Sequence, residues 1–285
     1  MSTPSGKFRS FNGKIVAAFA TFVYLYLLFP TLIIVPMSFG NRMDMEFPPV
    51  RYSLDLYRDY LHSSDWLAVT GRSALYASLT AILAMIVGVP AGYALSRTQF
   101  PGKRLVVLLT LSPMMVPAIV ISLGLYLYYL KLNLTGTAFG IVLAHAMFVM
   151  PYIILTISAG VENLDERLER AAVIMGAGQL HVFRTVVLPQ LGSSLVSAGI
   201  FAFLMSFDEV VIAWFITGPD TMTLPVKMYS SIKWEASPVL AAVATILTGL
   251  SVVVCVVTSL LKNAPANPVD SSHESKDDLL AVQGR

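Results

Sequence analysis

Charged residues and cysteine are scarce in this chain of 285 residues. Asp, Glu, Lys and Arg together make up 13% of it, about half the share found in soluble domains, and 56% of the residues are apolar. An ordinary water-soluble globule is therefore excluded. Cys255 is the only cysteine, which excludes an intrachain disulfide and a cysteine-based metal site. The 19 basic and 17 acidic residues are balanced and scattered, so nucleic acid is excluded as a partner.

Long apolar runs are what the sequence has instead. A hydrocarbon core about 30 Å thick requires roughly 20 mostly apolar helical residues, and six runs reach that length: 15–39, 73–96, 105–130, 138–160, 194–217 and 239–261. Continuously apolar runs predict helices, whereas membrane-spanning strands alternate with a period of two. The first run is about twice as long as a signal-peptide core and no Ala-x-Ala site follows it, so we expect it to be retained. The sequence thus predicts an all-α membrane protein with six transmembrane helices, surrounded by lipid.

Basic residues predict the orientation of these spans. The short segment 97–104 contains three basic residues and the short segment 131–137 contains one, and the side richer in Lys and Arg is normally cytoplasmic. Both termini are then cytoplasmic. We expect a cytoplasmic segment at 1–14, a transmembrane domain at 15–261 and a disordered cytoplasmic tail at 262–285, because that tail is rich in Pro, Ser, Asp and Lys.

The cytoplasmic connection 161–193 is long and has a helical pattern of its own. Apolar residues recur on one helical face at Leu164, Leu168, Ala171, Ala172 and Met175. Asn163 is predicted to cap this helix, and the glycines of Gly176-Ala177-Gly178 are predicted to end it. A second amphipathic turn follows. Two short helices with a glycine break predict a compact knob that another protein can grip. The alternative is an amphipathic helix that lies on the membrane surface without a partner.

At these residues the sequence resembles the EAA loop of binding-protein-dependent ABC importer permeases. In that family the loop forms a coupling helix, which sits in a groove of the cytoplasmic ATP-binding subunit. This chain departs from the motif at Arg170, which stands where the motif usually has glutamate, and Glu169 comes one residue earlier. The resemblance implies that the residues contacting the ATP-binding partner are Glu169, Arg170, Ala171, Ala172, Gly176, Ala177, Leu188 and Pro189.

The resemblance extends beyond the loop to the permeases of spermidine/putrescine importers. It is carried by residues 52–55, 206–210, 217–219, 223–230 and 237–238. It implies a type I importer of the bacterial inner membrane, with MetI-like architecture. Its partners would be a second permease, two copies of an ATP-binding subunit and an extracytoplasmic solute-binding protein. The implied solute is a polyamine, and another small organic solute is the alternative within the family.

The chain itself has no ATPase motif. A phosphate-binding P-loop needs Gly-Lys followed by Ser or Thr, and no Gly-Lys pair here is followed by either residue, as Ile15 and Arg104 illustrate. We therefore expect a transport subunit that is not an enzyme and holds no cofactor, with ATP and Mg²⁺ bound by a partner.

Asp208 and Glu209 lie inside the fifth apolar run, past its midpoint. A carboxylate facing lipid costs about 2.5 to 3.5 kcal/mol, so each is expected to line a cavity or to bond a neighbouring helix. In the first case they would attract a cationic solute, and in the second they would never meet it. Trp214 and Tyr229 are further candidates for the solute path, through cation–π contact with an amine. Anchoring at the membrane interface is the other reading of these aromatic side chains.

Two other classes of protein remain as rivals. An ion-coupled secondary transporter would show internal repeats or a buried charge relay, and a membrane enzyme would need a nucleophile, base or metal ligands near one surface.

His145 is the one histidine within the six runs, and we expect it to bond a neighbouring helix. The outer segment 218–238 is predicted to contain a short helix of an external gate or of a binding-protein dock, or else to be a simple connection.

Overall fold

The computed structural model describes residues 5–41, 47–235 and 237–262, and within these ranges it contains helices and no β-strand. The described residues form two compact units. One contains the residues up to Arg58 together with those from Pro238 onward, and the other is Asp59–Ser237. The predicted disordered tail lies, apart from Lys262, outside the described residues.

The first unit is built on two long helices, α1 (Ser5–Met37) and α13 (Val239–Lys262), which contact each other. No residue of the apolar stretch Val16–Met37 is buried. After α1 the chain is fastened by Ser38, whose buried hydroxyl lies 2.6 Å from the hydroxyl of Tyr57. Exposed apolar side chains along a helix this long are what lipid contact requires.

The second unit contains the other helices. They are α2 (Asp55–His62, which begins in the first unit), α3 (Ser64–Arg97), α4 (Lys103–Leu111), α5 (Ala118–Leu132), α6 (Ala138–Glu162), α7 (Glu166–Ile174), α8 (Gln179–Val182), α9 (Leu188–Gln190), α10 (Gly192–Phe207), α11 (Val211–Ile216) and α12 (Leu224–Ser230). Short 3₁₀ or π turns occupy Ser112–Met114, Phe183–Val187, Pro219–Thr221 and Ser231–Glu235.

The core of the second unit lies where α3, α6 and α10 pack together. Its fully buried residues include Ala84, Ile153, Ile157 and Ala202. Small residues allow this close approach, because a Cβ placed on Gly88 would lie 2.7 Å from Cγ2 of Ile153. The spacing of small residues at 88 and 92 therefore serves helix packing.

The spans differ in detail from the six uniform helices expected. Three helices are long and apolar enough to cross a membrane unbroken, at Val16–Met37, Ser64–Arg97 and Ala138–Glu162. Two further candidates are bent pairs: Lys103–Met114 with Ala118–Leu132, at 99°, and Gln179–Gln190 with Gly192–Phe207, at 79°. The described residues thus give three to five spans. The described apolar part of α13, Val239–Val253, is shorter than a span, so a sixth stays a prediction.

Two of the expected apolar runs are interrupted in the structure. The expected third run is interrupted before α5, where Pro117 precedes the first helical residue. The expected fifth run is interrupted at 208–210, because α10 ends at Phe207 and α11 begins at Val211. The second interruption places the two acidic residues of that run outside regular helix.

The packing of Gly88 can be tested by adding one methyl group. Gly88→Ala should lower the melting temperature of the purified protein in detergent, since overpacking a rigid contact costs about 1 to 3 kcal/mol and β-branched Ile153 has little freedom to move. Gly124→Ala is the matched control, because a Cβ there meets nothing within 4 Å. Equal melting temperatures for the two variants would contradict the packing account.

Candidate functional site

The loop 161–193, which we call the coupling loop, begins with a capped helix. Asp165 is the N-cap of α7. Its carboxylate accepts a hydrogen bond from the N–H of Arg167 at 2.9 Å. The prediction that Asn163 caps the helix was wrong. Asn163 instead ends the preceding helix, and its side-chain amide donates to the carbonyl of Ala159 at 2.8 Å.

The predicted glycine break is confirmed. The backbone of Gly176 has φ +90°, a left-handed conformation that glycine adopts without strain. The N–H of Ala177 then bonds back to the carbonyl of Ala172 at 3.0 Å. This turn ends α7 and redirects the chain into α8.

The apolar side chains of the coupling loop divide between two directions. Ala172 is buried, and Leu188 packs against the core of the second unit. Outward, Ile174 is 85% exposed and Met175 is 81% exposed. The exposed apolar surface of the loop, which we call the knob surface, consists of Leu168, Val173, Ile174, Met175 and Leu180. Large apolar side chains with this much exposure make the knob surface a candidate interaction site.

Glu169, one of the predicted coupling residues, points inward. Its carboxylate accepts hydrogen bonds from Nε and Nη2 of Arg97 at 3.0 and 2.8 Å, and from the hydroxyl of Tyr93 at 2.8 Å. The side chains of Arg97 and Glu169 are 15% and 12% exposed. Both partners belong to α3, and sequence reasoning missed them because they lie more than 70 residues away with no shared motif.

Arg170 points the other way, into solvent. It forms an ion pair with Glu166 one turn earlier on α7, and Nη1 of Arg97 lies 3.0 Å from the same carboxylate. The hydrogen bond from Arg170, followed by the charge of Arg97, holds the pKa of Glu166 below its ordinary value. At the usual glutamate position of the motif this chain therefore presents an exposed cation. Ala171 and Pro189 are exposed too.

The two acidic residues of the interrupted run behave differently. The carboxylate of Glu209 accepts the N–H of Ile212 at 2.9 Å and so satisfies one of the free donors at the start of α11. Asp208 is exposed, and among the described residues its carboxylate has no hydrogen-bond or ion-pair partner. Glu209 is thus bonded to the helix that directly follows it, and which of the two acidic residues meets the solute stays a prediction.

Trp214 and Tyr229 come together beside this break. Their rings meet edge to face with centroids 4.9 Å apart. They line a cavity of about 280 Å³ together with Ile119, Val210, Val211 and Phe215. The ammonium group of Lys233 lies 5.5 Å from the centroid of the Tyr229 ring. Asp208 and Glu209 are not part of this lining, although Val210 and Val211 directly follow them.

The segment 218–235 is fastened to the start of α3, and it contains the predicted short helix, α12. The ammonium group of Lys227 lies 3.0 Å from the carboxylate of Asp65 and 3.6 Å from that of Glu235. The hydrogen bond to Asp65 is the main reason why the pKa of Lys227 is raised. The N–H of Leu224 donates to the hydroxyl of Ser73 at 2.6 Å. We call these two bonds to α3 the outer clamp.

His145 bonds a neighbouring helix, as expected. Its Nδ1 lies 2.9 Å from the hydroxyl of Ser206 on α10, and the ring is fully buried. The part of the chain that the structure describes contains no group of three or more His, Cys, Asp and Glu residues that could hold a metal ion.

Comparison with known families identifies the family of this chain. The family model described as "Binding-protein-dependent transport system inner membrane component" matches residues 84–264. The chain belongs to this family. It is therefore an inner-membrane permease subunit, a transport component and not itself an ATPase. The family implies an ABC importer with ATPase and permease partners. The predicted all-α, MetI-like permease fold is confirmed.

Individual relatives agree with the family assignment. The spermidine/putrescine transport system permease protein PotC of Escherichia coli (strain K12) is 30% identical over 247 residues, 85% of this chain and 92% of PotC. The putrescine permease PotI of the same strain is 30% identical over 246 residues, 83% of this chain and 85% of PotI. The trehalose permease SugB of Mycobacterium tuberculosis (strain CDC 1551 / Oshkosh) is 29% identical over 216 residues, 74% of this chain and 79% of SugB.

A solved structure shares the fold. One chain in the crystal structure of a bacterial ABC transporter involved in the import of the acidic polysaccharide alginate superposes with a TM-score of 0.69 at 19% identity. The match covers 93% of this chain and all of that one.

The role of Glu209 at the start of α11 can be isolated with two substitutions. Glu209→Gln removes the charge and keeps an acceptor oxygen, whereas Glu209→Ala removes both. The alanine variant should be less stable than the glutamine variant by about 0.5 to 2 kcal/mol, the usual cost of losing a capping acceptor. Thermal unfolding in detergent measures the difference, and equal stability would show that the hydrogen bond contributes nothing.

Proposed function

We propose that this permease forms, with a sister permease, the translocation path for a small cationic organic solute, a polyamine, and that ATP is hydrolysed by two copies of a separate subunit. Membership of the permease family supports an ABC importer. The 30% sequence identity to PotC and PotI, which are polyamine permeases, suggests a polyamine as the solute. In this proposal ATP and Mg²⁺ bind to the partner, both termini are cytoplasmic and an extracytoplasmic binding protein delivers the solute. Residues 15–261 act as the transmembrane domain.

The knob surface is the observation that supports ATPase docking. Ile174 and Met175 are large, apolar and almost fully exposed in the single chain, so covering them with a partner is favourable by about 25 cal/mol for each Å² of apolar surface removed from water. The exposed cation of Arg170 lies beside them and suits an acidic group on the partner. A helix lying on the membrane surface, the alternative, gains nothing from the turn at Gly176.

Transport would follow from a difference in the contacts that the knob makes in two nucleotide states. A ligand or partner shifts a conformational equilibrium only by its differential affinity for the two conformations. We propose that closure of the ATPase subunits moves the knob as a lever, and that the bent helix pairs then switch the cavity from outward to inward access.

Electrostatics at the helix break favours a cationic solute. The last carbonyls of α10 have no partner within the helix and carry a partial negative charge, and the open carboxylate of Asp208 directly follows them. Broken helices in transporters use such ends to coordinate cations. Trp214 and Tyr229 add aromatic rings that attract an ammonium group, and the ring of Tyr229 already has the ammonium group of Lys233 at 5.5 Å. We therefore propose Asp208, Trp214 and Tyr229 as solute-facing residues and assign Glu209 to the support of α11.

A permease for another small organic solute is the second candidate, because SugB, a trehalose permease, is nearly as similar as PotC and PotI. Competition separates the two. Uptake of labelled spermidine should be inhibited by unlabelled spermidine or putrescine and not by trehalose or amino acids. Absence of spermidine uptake, with trehalose transported instead, would favour the second candidate.

Mass spectrometry of the complex purified from native membranes tests the proposed function as a whole. The tagged chain in mild detergent should bring with it an ATP-binding protein and a second permease. Recovery of the chain alone, in a preparation that still transports after reconstitution, would contradict the proposal and favour an ion-coupled secondary transporter.

The lever predicts a specific defect when the glycine turn is blocked. Gly176→Val forces a β-branched residue to φ +90°, which it rarely adopts, so ATP hydrolysis should continue while uptake falls by about tenfold or more, a coupling loss within the usual range. Gly178→Val is the matched control, because that residue has φ −68° and open space around it. Uptake per ATP hydrolysed in proteoliposomes is the measurement, and normal transport by Gly176→Val would contradict the lever.

The assignment of Asp208 predicts a charge-dependent loss of transport. Asp208→Asn should reduce uptake of spermidine by about tenfold, since a single ion pair with a partly desolvated amine contributes on the order of 1.5 kcal/mol or more. Asp220→Asn, which removes an exposed acidic group of the outer segment, should leave uptake close to normal. Equal uptake by both variants in whole cells would remove Asp208 from the path.

A further inference from the structure

The long helix α3 carries a polar attachment at each end. At its C-terminal end Arg97 and Tyr93 bind Glu169 of the coupling loop, and we call this attachment the inner clamp. At its N-terminal end the outer clamp joins Asp65 and Ser73 to the segment 218–235. From Asp65 to Arg97 an α-helix rises about 48 Å, more than the hydrocarbon thickness of a membrane.

The inner clamp grips both halves of the coupling loop. Arg97 reaches the first half, where Nη1 pairs with Glu166 at 3.0 Å and Nη2 donates to the carbonyl of Leu164 at 3.3 Å. The ring of Tyr93, one turn earlier on α3, lies 5.0 Å from the ring of Phe183 in the second half. A guanidinium with this many directed bonds holds its partner in one orientation, which a flexible lysine would not.

Two features make α3 suitable for carrying movement along its length. It is a continuous helix of 34 residues from Ser64 to Arg97. Pro90 lies inside it, but Gly88 and Gly92 on either side pack directly on Ile153 and Ile157 of α6. Bending at the proline is therefore restricted by the neighbouring helix.

We propose that Arg97 and Tyr93 are positioning residues that join the coupling loop to α3, so that movement of the knob is carried along α3 to the segment 218–235. This inference rests on the proposed function of the coupling loop as a lever. Without the inner clamp the knob would still bind its partner, because Ile174 and Met175 are 85% and 81% exposed and the inner clamp bonds neither of them. The knob would then move without α3.

The test compares Arg97→Gln with Arg104→Gln in the whole transporter complex in proteoliposomes. Arg104 is an exposed residue of α4, seven residues after Arg97 in the chain, and its substitution removes an equal charge. A cysteine at Ile232, which is exposed in the outer segment, reports on that segment in a Cys255→Ser background. The rate of labelling by a membrane-impermeant maleimide is measured without nucleotide and with ATP and vanadate.

In the parent and in Arg104→Gln, nucleotide should change the labelling rate several-fold. In Arg97→Gln the change should disappear, the ATP-binding subunit should still copurify, and uptake per ATP hydrolysed should fall at least about fivefold, the lower end of typical coupling. A role in folding alone would instead reduce the amount of complex and leave its nucleotide response unchanged.

Three further variants keep the test decisive. Tyr93→Phe removes one hydroxyl and keeps the ring against Phe183, so it should assemble normally and show a partial loss of the response. Arg97→Glu combined with Glu169→Arg restores opposite charges and should recover part of the coupling lost in Arg97→Glu. A full nucleotide response in Arg97→Gln, or in Tyr93→Phe if Arg97→Gln fails to assemble, would overturn the inference.

The outcome also separates this inference from the proposed function. If the parent complex contains no ATP-binding subunit or shows no response to nucleotide, the proposed function fails and the inference with it. If the parent responds and Arg97→Gln responds equally, the lever stands and only the role of α3 is refuted.

Discussion

Lipid offers no hydrogen-bond partner to the backbone, and this constraint organises the chain. Every N–H and C=O within the hydrocarbon must be satisfied inside the protein, so long helices are the default. Irregular backbone is tolerated only where protein or water surrounds it. The interruption at 208–210 is therefore informative, because it sets the acidic residues Asp208 and Glu209 at the ends of two helices, where the backbone itself contributes charge.

The need to give every buried polar group a partner inside the protein also explains the inner clamp. Arg97 and Glu169 are both largely withdrawn from solvent, and a charge in that position is costly unless it is paired and hydrogen-bonded. Three hydrogen bonds to the carboxylate of Glu169, two from Arg97 and one from the hydroxyl of Tyr93, meet that requirement. The departure of this chain from the EAA motif gains a physical meaning here, since Glu169 faces inward to α3 and leaves Arg170 to face outward.

Much of the fold could be predicted from the sequence because it depends on local patterns. Apolar runs located the long helices, and Gly176 predicted the turn that ends α7. The bend before α5 and the break after Phe207 could not be derived from hydropathy, because the runs 105–130 and 194–217 are each long enough and apolar enough on average to form one spanning helix. Pairs such as Arg97 with Glu169 or Lys227 with Asp65 depend on helix packing, which one sequence does not reveal. The cap at Asp165 was missed because α6 continues farther than its apolar run.

The central claim is that the knob surface binds a separate ATP-hydrolysing subunit, and site-specific photocross-linking tests it most directly. A benzophenone amino acid is placed at Ile174, on the knob, and in a second variant at Trp234, which is 79% exposed in the segment 218–235. Irradiation of intact cells should join the Ile174 probe to an ATP-binding protein, whereas the Trp234 probe should not capture it. The account would be contradicted if the Ile174 probe captured no ATP-binding protein. It would also be contradicted if the Trp234 probe captured the ATP-binding protein.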